Sequence, residues 1–242
     1  MKKVYIGVGH GGSDPGAVAN GLKEKDLNLT TALACCAFLK HYCDVKISRI
    51  KDAEVWLQER INGANAFKAD LAVDIHHNAG RGDGAECYHT VHYGKGKELA
   101  ENILAEIKKV GQNSRGTKTK DANKDKRDDF GFIRDTVCPA AIVECAFLDN
   151  KIDVKIVDTK AEQEAMGIAI AKGILKTLGI SLKKGDVNFD GKVDAKDAQK
   201  VLKYAVGKEK LTNAQKETAD MNADGKVNAV DAQQILKRSV GK

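Results

Sequence analysis

Short apolar runs alternate with longer stretches in which apolar residues recur every three or four positions, and the alternation holds from Lys2 to Gly179. The runs KKVYIGV (2–8), DVKISRI (44–50), LAVDIHH (71–77), AECYHTV (85–91), FGFIRD (130–135) and AAIVECAF (140–147) predict strands. Four other stretches predict amphipathic helices: EKDLNLTTALACCAFLKHY (24–42), EVWLQERINGANAFKA (54–69), KELAENILAEIKKV (97–110) and AEQEAMGIAIAKGILKTLG (161–179). Strand and helix in alternation imply an α/β fold, a twisted, mostly parallel sheet with helices on both faces. In such sheets chemistry gathers at the carboxyl ends of the strands. One stretch has neither period. SRGTKTKDANKDKRDDF (114–130) is a dense charged run, expected as a solvated loop or as a basic rim that helps hold an anionic substrate.

The pattern changes at GISLKKGD (179–186). Beyond it, GDVNFDGKVDAKDAQKVLKYAVG and ADMNADGKVNAVDAQQILKRSVG are two copies of one unit, 34 residues apart. Each copy is a loop with Asp or Asn at alternate positions that runs into a helix, so a small all-α C-terminal domain with two EF-hand-like loop-helix repeats is expected. The chain then divides into a catalytic domain 1–180, a linker 181–185 and a calcium-binding domain 186–242. The spacing offers oxygen ligands for one calcium from Asp186, Asn188, Asp190, Asp194 and Asp197, with the Lys192 carbonyl. A second set comes from Asp220, Asn222, Asp224, Asn228 and Asp231, with the Lys226 carbonyl. The twelfth position is Asp rather than the long bidentate Glu. That substitution, the single helix after each loop and the tandem pair resemble a type I dockerin. The resemblance implies a cohesin-like partner, met by Ala195-Lys196 in one copy and Ala229-Val230 in the other. These pairs are not symmetric, and a calcium-stabilised wall-binding or self-associating module is the other reading.

Composition narrows the partners. The 40 basic and 34 acidic residues leave a formal charge of +6, and no nucleic-acid recognition motif accompanies it. A mild positive balance suits an anionic polymer such as a cell wall. MKKVYIGVGHGG is too short and too polar for a signal-peptide core, and no segment reaches membrane-span length. Synthesis in the cytoplasm, with action at the wall after release, is therefore expected. The six cysteines, Cys35, Cys36, Cys43, Cys87, Cys138 and Cys145, show no CxxC spacing and read as small buried hydrophobes kept reduced.

Four features of the first domain carry chemistry. GVGHGGSDPGA places His10 in a glycine-rich turn after the first strand, and KEKDLNL places Glu24 at the start of the next helix. DIHHNA ends the third strand with His76 and His77, and PAAIVECAFLDN carries Glu144 near the end of the last. Together with SRIKD around Arg49, ERINGAN and FIRDTVC, they resemble the zinc-dependent N-acetylmuramoyl-L-alanine amidases of the amidase 3 family over residues 3–178. The resemblance implies zinc on His10, Glu24 and His76, with a fourth position open to water. It also implies Glu144 as the carboxylate that takes a proton from water and delivers one to the leaving amine. Arg134 is the candidate for holding substrate carboxylates or the developing oxyanion. The family's strand motif makes His76 the ligand. Alternation along the strand then turns His77 away from the metal. Asp74 stands where the family usually has Ser, and the sequence leaves open whether it touches His76.

The function so implied is hydrolysis of the amide between N-acetylmuramic acid and L-alanine in peptidoglycan, by a phage or prophage endolysin. The alternatives are a host autolysin or spore-lysis amidase, a cohesin-binding component of an extracellular complex, and a binding protein with an inactive amidase domain.

Overall fold

The computed structural model describes residues 1–122 and 124–241. They form two compact units, Met1–Gly179 and Ile180–Lys242.

In the first unit β1 (Lys3–Val8) leads through a small hairpin, β2 (Val18–Ala19) and β3 (Leu22–Lys23), into α1 (Glu24–Leu39). Then come β4 (Asp44–Ile47), α2 (Leu57–Phe67), β5 (Leu71–Asn78), β6 (Ala85–Tyr88) and α3 (Lys95–Lys109). The unit continues with β7 (Ser114–Lys118), α4 (Gly131–Asp135), β8 (Ala140–Phe147), α5 (Lys151–Val154) and α6 (Lys160–Thr177). The main sheet runs β4-β1-β5-β8-β6-β7. Its strands pair in parallel except β6, which lies antiparallel to β8.

Side-chain alternation sorts the sheet into two faces. On one, Val73, Ile75, Val143 and Cys145 are fully buried, α1 and α3 pack against the strands, and α6 packs against α1 and α3. On the other, α2 and α4 cover only part of the sheet, over a cluster of Tyr5, Ile61, Ala64, Ala72, Phe132, Ile133, Ala140 and Ile142. The rest of that second face is where His76 and Glu144 emerge.

Two expectations are corrected. FGFIRD is not a strand: residues 131–135 form the helical turn α4, closed by Ile133 and Arg134 N–H groups on the Phe130 carbonyl. The charged run is not wholly a loop either, because its first five residues form β7. As the last strand of the sheet, β7 pairs only with β6, and an edge strand needs no apolar alternation.

All six cysteines are free thiols, five of them buried. Burial pushes Cys36 up to about 12 and Cys87 well above the ordinary thiol range, so these thiols stay protonated and unreactive. Among the described residues no helix is long and apolar enough to cross a membrane.

The second unit holds α7 (Ala195–Ala205), α8 (Asn213–Ala219) and α9 (Ala229–Ser239) around Val187, Ala198, Val201, Leu211, Ala219, Ala232 and Ile235. Asp194 and Asn228 cap α7 and α9 through the N–H groups of Lys196 and Val230, and Asp197 and Asp231 complete each capping box. One set of polar side chains therefore both shapes the loops and starts the helices.

Candidate metal centre

The centre begins with space left for it. Gly9 on the end of β1 faces His76 of β5, and a Cβ there would lie 2.1 Å from the imidazole. Gly16, at φ +63°, leaves room for Glu24 and His10, whose atoms would lie 2.5 and 2.7 Å from a Cβ. Arg49 is buried and pins the surroundings, donating to the carbonyls of Gly9, Lys25 and Lys51. The turn that carries His10 is thereby tied to the first turn of α1, which carries Glu24.

Glu24 is buried and bridges two imidazoles. Its Oε2 lies 3.2 Å from His10 Nε2 and its Oε1 lies 2.9 Å from His76 Nδ1. Ligand atoms of the three residues all fall within 4.8 Å of one another, the one such group of His, Cys, Asp and Glu among the described residues. Each imidazole is backed on its outer nitrogen by a carboxylate. Asp14 Oδ2 stands 2.7 Å from His10 Nδ1, and Asp74 Oδ2 stands 3.3 Å from His76 Nε2. Outer carboxylates of this kind fix the orientation of metal-binding histidines and leave the inner nitrogens to the metal. Burial works against charge on every group here, yet the hydrogen bonds from His10 and His76 hold Glu24 far below the ordinary carboxylate range. Asp74 and Glu24 likewise outweigh burial at His76 and push it up to about 10. The pocket is thus built around concentrated negative charge that a divalent cation would balance. Two histidines and one carboxylate are a donor set suited to zinc.

Asp74 is 1% exposed, and its charge is met by Arg60 of α2, with Nε 3.2 Å from Oδ2. Arg60→Met is expected to cost about 3–5 kcal/mol of stability, because it leaves a buried carboxylate uncompensated. Urea unfolding checks this, and an unchanged midpoint would mean that Asp74 is not charged in the folded protein.

His77 leaves β5 on the other face, beneath α1. Its Nδ1 lies 2.8 Å from Asn28 Oδ1, and Asn28 uses its Nδ2 on Glu24 Oε1 and the Gly9 carbonyl. Asn28 Oδ1 can only accept, so His77 Nδ1 carries the proton. Burial pushes His77 down to about 4 and keeps the ring neutral.

Glu144 is the register partner of His76 across β5 and β8, so both side chains leave the same face. Its Oε2 is buried without a hydrogen-bond partner, and burial pushes its carboxyl up to about 7, with the His76 charge pulling against the shift. On its other side Glu144 faces Glu86 of β6. Arg134 joins none of this. Its guanidinium lies on Asp135 and on the carbonyls of Asp128 and Asp129, and it lines a cleft of about 400 Å³ with His92, Lys126, Arg127 and the start of β8.

In the second unit, Asp186 is fully buried with Oδ2 on the Gly191 N–H and Oδ1 without a partner. Asp197 accepts from the N–H groups of Val187, Asn188 and Asp194, and Asp231 from those of Met221 and Asn228. Asn188, Asp190, Asn222 and Asp224 accept from backbone N–H groups of their own loops. Asp220 accepts the Asp224 and Gly225 N–H groups. Lys192 and Lys226 stand at the seventh positions of these loops, their N–H groups on Asp190 and Asp224. Ala195-Lys196 and Ala229-Val230 lie exposed in the first turns of α7 and α9.

Sequence reasoning passed over Asp14, Asn28, Arg60 and Glu86. Only Asp14 carried a local signal, a carboxylate four residues after a candidate ligand.

The family model for N-acetylmuramoyl-L-alanine amidase matches residues 4–176, and that for the dockerin type I domain matches residues 184–240. The chain is 38% identical over 186 residues to N-acetylmuramoyl-L-alanine amidase CwlM of Bacillus licheniformis, spanning 75% of this chain and 70% of that one. It is 33% identical over 194 residues to the endolysin of Bacillus phage SPP1, spanning 76% and 69%. Of solved structures, Cwp6 from Clostridium difficile is similar at a TM-score of 0.71 and 37% identity, over 73% of this chain and 29% of that longer one.

Proposed function

The chain belongs to the N-acetylmuramoyl-L-alanine amidase family, and from that premise we propose that it hydrolyses the amide between the lactyl group of N-acetylmuramic acid and L-alanine in peptidoglycan, with zinc on His10, Glu24 and His76. The observation that carries this reading is the cluster of two imidazoles and a carboxylate standing beside Glu144 in strand register. Zinc bound there supplies a Lewis acid that polarises the scissile carbonyl and lowers the pKa of water to about 7.

The chain's own groups do the rest. Asp14 and Asp74 hold the outer imidazole nitrogens, and Asn28 and the His77 N–H steady Glu24 Oε1. Glu144 takes the proton of the attacking water on its carboxylate and returns it to the departing L-alanine amine. A carboxyl whose pKa lies near neutrality serves both directions of that transfer. Arg134, on Asp135 in its separate cleft, is given no part in these steps.

Digestion of purified walls tests the reading. Mass spectrometry should find new free N-termini on L-alanine and no new reducing sugar ends, and a strong zinc chelator should stop the reaction until zinc is restored. New reducing ends without free L-alanine would replace an amidase with a glycosidase. Phage release and host wall turnover are separated by gene neighbourhood, a holin beside the gene marking an endolysin.

For the second unit we propose two calcium sites on the loops beginning at Asp186 and Asp220, and a cohesin-like partner for the exposed first turns of α7 and α9. An all-oxygen donor set and the unpartnered Asp186 Oδ1 support a hard cation. Calcium at about 100 times its Kd is expected to stabilise this unit by about 2.7 kcal/mol for each site filled. Calorimetry of the full chain should show the corresponding rise in one transition, and two traces that overlay with and without calcium would sink the assignment.

A further inference from the structure

Next to the proposed base lies a cluster that the mechanism above does not use. Glu86 of β6 stands directly opposite Glu144 in the antiparallel register, so its side chain leaves the same face of the sheet. It is 3% exposed. From the neighbouring β7, Arg115 Nε and Lys118 Nζ both bond Glu86 Oε1, and the Tyr88 hydroxyl donates to Oε2 at 3.0 Å. Burial works against the Glu86 charge, but these donors outweigh it and keep the carboxylate ionised.

The arrangement carries more positive charge than Glu86 needs. One buried carboxylate holds two cations whose side chains are 40% and 32% exposed, which leaves a net charge of +1 facing the open part of the face. Arg115 uses only Nε on Glu86. Its guanidinium lies over the Phe147 ring, 5.4 Å from the centroid, and its terminal nitrogens make no hydrogen bond among the described residues. A planar guanidinium fixed at one edge and on one side, with both terminal nitrogens left over, is suited to receive a carboxylate. The row across the sheet is therefore His76, Glu144, Glu86 and then the two cations.

We infer that Arg115 and Lys118, fixed on the buried Glu86, form a carboxylate-binding subsite for the stem peptide just beyond the scissile amide. The inference rests on the amidase reading. A carboxylate on the residue after L-alanine would meet the cations while the amide lies between the metal ligands and Glu144. The subsite makes the enzyme selective for stems in which that carboxylate is free over stems in which it is amidated.

The test uses two muramyl peptides, identical except for a free carboxylate or a carboxamide on the residue after L-alanine, and the variants Arg115→Gln, Lys118→Met and Arg115→Lys. Wild type is expected to favour the free acid in kcat/KM by about 10-fold or more, the range of one charge-assisted hydrogen bond. In Arg115→Gln and Lys118→Met that ratio should fall toward one, the loss appearing in KM for the acid, whereas Arg115→Lys keeps part of it. A merely structural ion pair would lower Tm and slow both substrates equally, with the ratio unmoved. Wild type that cuts both peptides at equal rates, or variants that keep the wild-type ratio, would overturn the subsite. Failure to cut either peptide or purified walls would overturn the amidase reading itself, and the subsite with it.

Discussion

Glu144→Gln is expected to slow wall hydrolysis by about 10²–10⁴-fold, the usual contribution of a positioned acid–base group. Gln keeps the shape and one oxygen of the side chain but can neither take the proton of water nor return it. The proposed metal ligands are on other elements, the turn after β1, the start of α1 and β5, so zinc content after desalting should match wild type. Stability should not suffer, because the native carboxylate already has a buried Oε2 with no hydrogen-bond partner. An amide at that position avoids the cost of burying a charge. Turnover and metal content measured on the same preparation separate the outcomes. A variant that stays fully active removes Glu144 from the chemistry. One that loses zinc along with activity makes it a support for the metal site instead of the base.

How far such a site can be read from sequence depends on where its partners lie along the chain. The strands β5 and β8 are legible as near-continuous apolar runs because helices cover one face and a packed cluster much of the other. His10, Glu24 and His76 are legible through the family resemblance of their motifs, since a glycine-rich turn, a helix start or a strand end says little when taken alone. Strand β7 is not, since an edge strand satisfies its backbone on one side only and tolerates SRGTK, a sequence without apolar alternation. Residues 130–135 mislead because Phe132 and Ile133 are adjacent and both buried, a pattern that a short helical turn shares with a strand covered on both faces.

The supporting groups are harder still. Arg60 and Asp74 are fourteen residues apart and meet because α2 packs on β1, the strand beside β5. That Glu86 stands opposite Glu144 follows from the antiparallel placing of β6 against β8. Two strand runs with no helix between them, 71–77 and 85–91, leave room for an antiparallel strand but do not say which strand it joins. Alternation did settle one thing in advance, which face His77 would take.

His76→Ala and His77→Ala are expected to fail in different ways, although the two rings are neighbours on one strand. His76 Nδ1 stands 2.9 Å from Glu24 Oε1 and faces His10, so removing the ring leaves two donors of the three proposed to hold the metal. Zinc should be lost on desalting. Activity should fall by about 10³-fold or more, since a metal supplies several kcal/mol at the reacting oxygen. His77 is buried on the opposite face, and its loss leaves Asn28 Oδ1 without a donor. The cost there is stability, roughly 1–3 kcal/mol for the unpaired acceptor and more for the cavity. Zinc content should stay near wild type, because Asn28 still bonds Glu24 through its Nδ2. Metal analysis and Tm on both variants decide the matter. The reverse pattern, with zinc lost from His77→Ala and kept by His76→Ala, would mean that β5 lies one residue out of register. A slip of one residue exchanges the two faces of a strand, so it would move Asp74 off Arg60 and separate His76 from Glu144 at the same time.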